Sequence, residues 1–223
     1  MSSPLRLVIF DIDGTLVDSQ AHILASMSYA FAKTGLALPP RHDCLGVIGL
    51  SLPQAMAVLV PEASAAEIAR LVAFYKESWT TLGQEREAPM LYPGARDAVH
   101  GVDASGALIS AATGKSRRGL ERMLGETGLA PLFLGTQTAD DAPSKPHPQM
   151  VLNCLAATGV APEQAVMVGD TAFDIEMARA AGCRALGVSW GYHAEARLTG
   201  AGAEEVLPDF TALLPALQRI WSS

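Results

Sequence analysis

The sequence predicts an α/β fold: a doubly wound parallel sheet interrupted once by an all-helical insert. Three observations predict it. Short, largely apolar runs alternate with longer helical patterns, as in a parallel sheet covered on both faces. One stretch, about 18–86, breaks the alternation and holds no convincing strand. The chain of 223 residues is long enough for one core domain carrying a smaller insert.

The strands come first. Leu5–Phe10 is apolar apart from Arg6 and opens the sheet. Ala107–Ala111, Ala165–Val168 and Ala185–Val188 read the same way, and Leu132–Leu134 is a shorter candidate. Between them, Ser116–Glu126, Pro148–Thr158 and Ala172–Ala181 carry helical patterns. The insert reads as Ser19–Lys33, a short helix near Cys44, Leu52–Val60 and Ala65–Gly83, punctuated by Pro39-Pro40, Pro53 and Pro61. Pro89 and Tyr92-Pro93-Gly94 mark the return. The expected division is a core of 1–17 and 87–223 and an insert of 18–86.

Composition narrows the function. Hydrophobic residues make up 49% of the chain, enough for a sizeable core, and the formal charge of −7 argues against a nucleic-acid partner held on a basic face. An acidic protein that binds an anion needs a local cation. Cys44, Cys154 and Cys183 match no metal-ligand spacing and read as reduced, buried thiols. The first apolar run is too short for a leader, and no stretch is long enough for a bilayer. The expectation is a cytoplasmic protein with no membrane partner, as monomer or homodimer.

Four motifs follow strands or their loops, at the rim where open α/β sheets bind ligands. In Asp11-Ile12-Asp13-Gly14-Thr15 the two carboxylates lie two residues apart on an extended chain and point the same way. Such a pair repels itself unless a cation or a shared proton compensates, and a hard divalent ion suits oxygen ligands. Ala111-Ala112-Thr113-Gly114-Lys115 offers a hydroxyl and backbone N–H groups ahead of a helix, a cradle for phosphate or a plain N-cap. Ser144-Lys145-Pro146-His147-Pro148 is stiffened by its prolines, so Lys145 projects a fixed ammonium or simply meets solvent. Gly169-Asp170-Thr171-Ala172-Phe173-Asp174 places two more carboxylates one helical turn apart, for a metal or for a helix N-terminus. Together the four supply what phosphoryl transfer through an aspartyl phosphate requires.

These residues resemble the haloacid dehalogenase superfamily. Asp11–Ser19, Thr113, Lys145-Pro146 and Gly169–Asp174 look like its four motifs in its order. Leu91–Gly94, Ala178–Gly182 and Val188–Tyr192 resemble the phosphoglycolate phosphatase-like branch. The resemblance implies a Rossmann-like core with a helical cap. It also implies a Mg²⁺-dependent phosphatase for small-molecule phosphate monoesters, with 2-phosphoglycolate as leading substrate. By position, Asp11 is the nucleophile and Asp13 the general acid, then base. Thr113 and the Gly114 N–H bind the phosphoryl group, and Lys145 neutralises charge. The metal is held by Asp11, Asp170 and the Asp13 backbone carbonyl, with Asp174 in support. Gly114 departs from the pattern, since many relatives carry Asn there.

Other readings are weaker. A sugar-phosphate mutase would share the site and differ in the cap. Dehalogenases and phosphonate-cleaving relatives lack the second acid that Asp13 supplies, and a non-catalytic phosphate binder would not need all the reactive groups. Gly187–Gly191 fits a serine-hydrolase pattern but has no suitably placed acid and histidine downstream. His22, His42, His100 and His193 read as solvated or capping residues, His147 lies beside Lys145 near the expected site but is given no role, the tryptophans read as packing, and Arg117-Arg118 as a solvated face. Arg41, Lys76 and Arg86 are candidate cap contacts to substrate.

Overall fold

The computed structural model describes residues 4–83 and 88–222. Five parallel strands form one sheet in the order β2-β1-β3-β4-β5, with β1 Leu7–Phe10, β2 Leu108–Ala111, β3 Ala165–Gly169, β4 Arg184–Val188 and β5 Glu205–Leu207. Strand β1 is registered Leu7 to Leu108 on one side and Leu7 to Ala165 on the other. The chain leaves β1 toward one edge, returns across it for β3 and continues toward the other edge. Its carboxyl end therefore lies at the topological switch point, where open sheets of this order form a crevice.

Side chains of one strand alternate between the two faces. Val8, Phe10, Val166 and Val168 point into a core closed by α5 (Ala95–Ala104), α6 (Arg117–Thr127) and α10 (Leu213–Ser222). Leu7, Ile9, Ala165 and Met167 point into a second core closed by α7 (Gln149–Thr158), α8 (Ala172–Ala180) and α9 (Glu195–Ala201). This is the doubly wound architecture, and it explains why the strands read as unbroken apolar runs. Each Val, Leu, Ile, Phe or Met among them, taken fully out of water, contributes about 1.5–3 kcal/mol.

Residues 20–81 form a helical layer of α1 (Gln20–Thr34), α2 (Arg41–Gly46), α3 (Leu52–Leu59) and α4 (Ala65–Thr81). It has its own core of Met27, Phe31, Cys44, Met56 and Leu71. Helix α4 starts at a capping box, in which Glu67 accepts from the Ser64 N–H at 2.8 Å. The chain passes into this layer at Asp18, whose N–H donates to Met90 O at 2.8 Å, and Tyr92 N–H donates to Leu16 O at 3.0 Å. The two crossings are thus tied side by side. The expected return at 86–87 lies outside the described residues.

Two readings need correction. Leu132–Leu134 is not a strand. Pro131 removes a ladder donor, a 3₁₀ turn occupies Ala130–Leu132, and only Phe133 bridges Ile109. Strand β5 was not foreseen, because Glu205-Val206-Leu207 carries a charge, ends at Pro208 and pairs on one side only. Cys44, Cys154 and Cys183 are buried free thiols, as expected.

Candidate active site

The site is built at the rim of β1 and β3. Asp11 follows β1, and its N–H donates to Val168 O at 3.0 Å, which locks the two strand ends together. Asp170 follows β3. Its carboxylate accepts from Thr15 Oγ1 at 3.0 Å and from Tyr192 N–H at 2.9 Å. Gly14, at φ +88°, lies so close to Asp170 that any Cβ there would collide with its carboxylate. Asp174 sits in the first turn of α8. One of its oxygens accepts from the Thr171 N–H at 3.1 Å and the Thr171 hydroxyl at 2.7 Å. The other accepts from Lys145.

Lys145 is fully buried and joins two of these carboxylates, with Nζ 2.6 Å from Asp11 Oδ1 and 2.6 Å from Asp174 Oδ1. Burial alone would depress its ammonium, but Asp11 and Asp174 outweigh it and hold Lys145 above the ordinary lysine range. Asp11 is displaced the other way, to about 7: burial dominates, Lys145 only partly offsets it, and Asp174 adds repulsion. Burial likewise pushes Asp170 well up, with Asp11 and Asp174 repelling it.

Three observations fit this pocket of oxygens to a divalent cation. Asp11, Asp170 and Asp174 bring carboxylate oxygens within 4.8 Å of one another. Asp11 Oδ2 is buried and has no hydrogen-bond partner among the described residues, although such orphans are costly. If ionised together, three buried carboxylates against one buried ammonium leave two negative charges for a cation to compensate. An all-oxygen donor set favours a hard ion.

Asp13 stands apart from this cluster. Its carboxylate is not among the grouped ligand oxygens; it accepts from Lys115 Nζ at 2.8 Å, both side chains being largely buried. The part that the resemblance gives Asp13 at the metal falls to its backbone carbonyl, not to this side chain. Lys115 also lies over the ring of Trp79 of α4, 5.8 Å from its centroid, so it links the rim to the helical layer. Thr113 is buried, and its Oγ1 accepts from the Lys115 N–H at 3.2 Å, which leaves its hydroxyl proton to donate. Asp11, Asp13, Thr113 and Gly114 line one cavity of about 620 Å³ between the sheet rim and the helical layer. Asp170, Asp174 and Lys145 lie behind its floor, fully buried.

The helical layer is clamped onto this rim. A Cβ on Gly114 would stand 2.7 Å from both Gly49 O and Leu50 O. The departure from Asn at this position thus has a physical reason: backbone of the helical layer occupies the space. The Ser51 N–H donates to Ser144 Oγ at 2.7 Å, and Ser19 Oγ meets Tyr192 OH at 3.2 Å. His193, read as solvated or capping, is buried. Its Nδ1 accepts from the Ala172 N–H at 3.0 Å at the start of α8, which fixes the tautomer so that Nε2–H donates to Gly46 O at 3.1 Å.

The other expectations divide. Lys76 lines the cavity, Arg41 instead bonds Gln20, and Arg86 lies outside the described residues. Arg117 is no solvated face: it donates to Thr136 Oγ1 at 2.6 Å and pairs with Asp141, while Arg118 lines the cavity. Trp79, read as packing, also lines it. His147 accepts from the Gln149 N–H at 3.2 Å and serves the start of α7. Thr15, Lys115, Ser144 and Tyr192 lie inside the motif strings read from sequence but have no role of their own there, and His193 has only a solvated or capping one.

A parallel sheet of this order with paired acids, a lysine and a second acidic pair at one rim defines a class of hydrolase. The family model for haloacid dehalogenase-like hydrolases matches residues 8–188. The chain belongs to that family. A protein of Dickeya dadantii described as a probable phosphatase, IndB, is 30% identical over 214 residues, covering 94% of this chain and 92% of that one. A phosphoglycolate phosphatase of Agrobacterium fabrum is 30% identical, covering 97% and 94%. Among solved structures, a haloacid dehalogenase-like family hydrolase of Streptococcus pneumoniae superposes with a TM-score of 0.82 at 26% identity, over 96% of this chain and 99% of that one. The chain is a hydrolase of the phosphatase kind. Among the described residues, no helix is long and apolar enough to cross a membrane.

Proposed function

We propose that the chain is a cytoplasmic, Mg²⁺-dependent phosphatase that cleaves small phosphate monoesters through an aspartyl phosphate on Asp11. One observation carries this reading: Lys145 holds one Asp11 oxygen and leaves the other buried and unpartnered, in a residue whose carboxylate comes within 4.8 Å of those of Asp170 and Asp174. A carboxylate so held presents a fixed nucleophile. Asp11 and Asp170 would hold Mg²⁺, together with the Asp13 backbone carbonyl. Asp174 would support them through Lys145 and Thr171. When bound, the ion neutralises charge on the transferring phosphoryl group.

The chain's own groups do the rest. Thr113 and the Gly114 N–H receive phosphoryl oxygens, and Lys145 offsets charge between Asp11 and the phosphate. Asp13, held by Lys115, gives its proton to the leaving oxygen and then takes one from the attacking water. Residues 18–86 act as a cap over a core of 1–17 and 87–223, and the clamped arrangement excludes water during transfer. The named activity of the phosphoglycolate phosphatase relatives makes 2-phosphoglycolate the first substrate to test. Lys76 and Arg118 would meet its carboxylate.

Phosphate release is measured with and without Mg²⁺ for wild type, Asp11→Asn and Asp13→Ala. Asp11→Asn should be inert while folded. Asp13→Ala should lose more on alkyl than on activated aryl phosphates, whose leaving groups need less protonation. Substantial turnover by Asp11→Asn would remove the nucleophile assignment, and equal losses would remove the acid role.

A further inference from the structure

The cavity above Asp11 is large for a two-carbon acid. At about 620 Å³ it has room equivalent to about twenty waters, mid-range for pockets that enclose ligands with ring systems. The wall that the helical layer contributes is mostly apolar: Ile23 and Met27 of α1, Leu50, and Tyr75 and Trp79 of α4. Met123 of α6 faces the same space from the core. Two of the cations lining the cavity, Lys76 and Arg118, are themselves exposed, so their charge lies where it meets solvent; Lys115 reaches the edge of this wall over Trp79, but its charge is paired with Asp13 at 2.8 Å. A substrate made only of phosphate and a short polar acid leaves the wall unused.

Resting on the phosphatase reading, we infer that this site also takes a further substrate class: phosphate monoesters whose alcohol carries a ring-sized apolar body. The phosphate sits at Asp11 and Thr113, and the body lies against Met27 and Trp79. Tyr75 and Trp79 supply aromatic surface and Ile23 and Met27 of α1 add aliphatic surface beside it, as in sites that select shape over charge. Cleavage is the same reaction. Asp11 displaces the alcohol at phosphorus, Asp13 gives the departing oxygen its proton, and water then splits the aspartyl phosphate to inorganic phosphate.

The test uses ethyl, 2-phenylethyl and cyclohexylmethyl phosphates, all esters of primary alcohols, so that leaving-group chemistry stays nearly constant. Each fully buried methylene is worth about fourfold in affinity. The two ring esters should therefore show a KM at least tenfold below that of ethyl phosphate, with kcat within a few-fold. Trp79→Ala should raise KM for the ring esters several-fold more than for ethyl phosphate. The matching phosphonates, which cannot be cleaved, report binding alone by calorimetry and should follow the same order. Hydrolysis of all three esters with KM values within twofold, or equal binding of the phosphonates, would overturn the inference and leave the phosphatase reading intact. No Mg²⁺-dependent hydrolysis of any of them, nor of 2-phosphoglycolate, would overturn the phosphatase reading itself.

Discussion

Lys145→Met keeps most of the side-chain volume and removes the one ammonium that, among the described residues, is fully buried with the three carboxylates. Breaking a buried ion pair by deleting one partner costs about 3–5 kcal/mol, because the other charge is stranded. In a chain of this length each kcal/mol moves Tm by about 2–4 °C, so metal-free protein at pH 8 should melt about 10 °C lower. At pH 5.5 the deficit should shrink, since Asp11, already raised to about 7, takes up a proton and relieves the repulsion. Turnover should fall by about 10²–10³, as for loss of one preorganised charge contact. The assay is thermal unfolding in chelator at both pH values, with phosphate release alongside. A deficit under about 2 °C at pH 8, or one equal at both pH values, would refute the electrostatic account of this cluster.

Three further outcomes are expected. Asp11 has its folded pKa raised from 3.8 to about 7, so metal-free protein binds a proton there that the unfolded chain has lost, and that stability disappears as pH rises through about 7. Mg²⁺ should therefore raise Tm more at pH 8 than at pH 5.5, and a larger increment at the lower pH would contradict it. Burial holds His193 below 6.5, so its contribution is full above 6.5 and is lost as pH falls from there toward its folded value. The stability difference between wild type and His193→Gln should accordingly narrow in acid, and a widening would be the wrong sign. Gly114→Asn should weaken this chain by about 1–3 kcal/mol through overpacking against Gly49 and Leu50. It should also raise KM in steady-state assays; equal or better activity would show that the two layers separate freely.

The parts legible in the sequence are those decided locally. Unbroken apolar runs reported the four main strands, because a strand buried on both faces leaves no polar alternation. Asp11, Thr113, Lys145, Asp170 and Asp174 were legible because each sits beside a strand end or a proline-braced loop, and the fold carries strand ends to one rim. Chain-distant partners were not legible. Lys115 takes its role from Asp13, 102 positions away, and His193 takes its role from Gly46, 147 positions away. Neither spacing leaves a periodic trace. Gly114 read as a missing contact, and only the position of the Gly49–Leu50 backbone gave it a purpose. The cavity wall was opaque for a related reason: Ile23, Met27 and Trp79 follow the same helical pattern whether they face the layer's core or the site.

The most direct measurement is peptide mapping of protein acid-quenched during steady turnover of a phosphate monoester with Mg²⁺, locating any covalently attached phosphoryl group by mass. The account predicts one phosphoryl group, on the peptide and the side chain of Asp11, present only when substrate and Mg²⁺ are both supplied. A phosphoryl group fixed to any other residue would contradict it, as would its absence under conditions where a burst of alcohol release demonstrates a covalent intermediate.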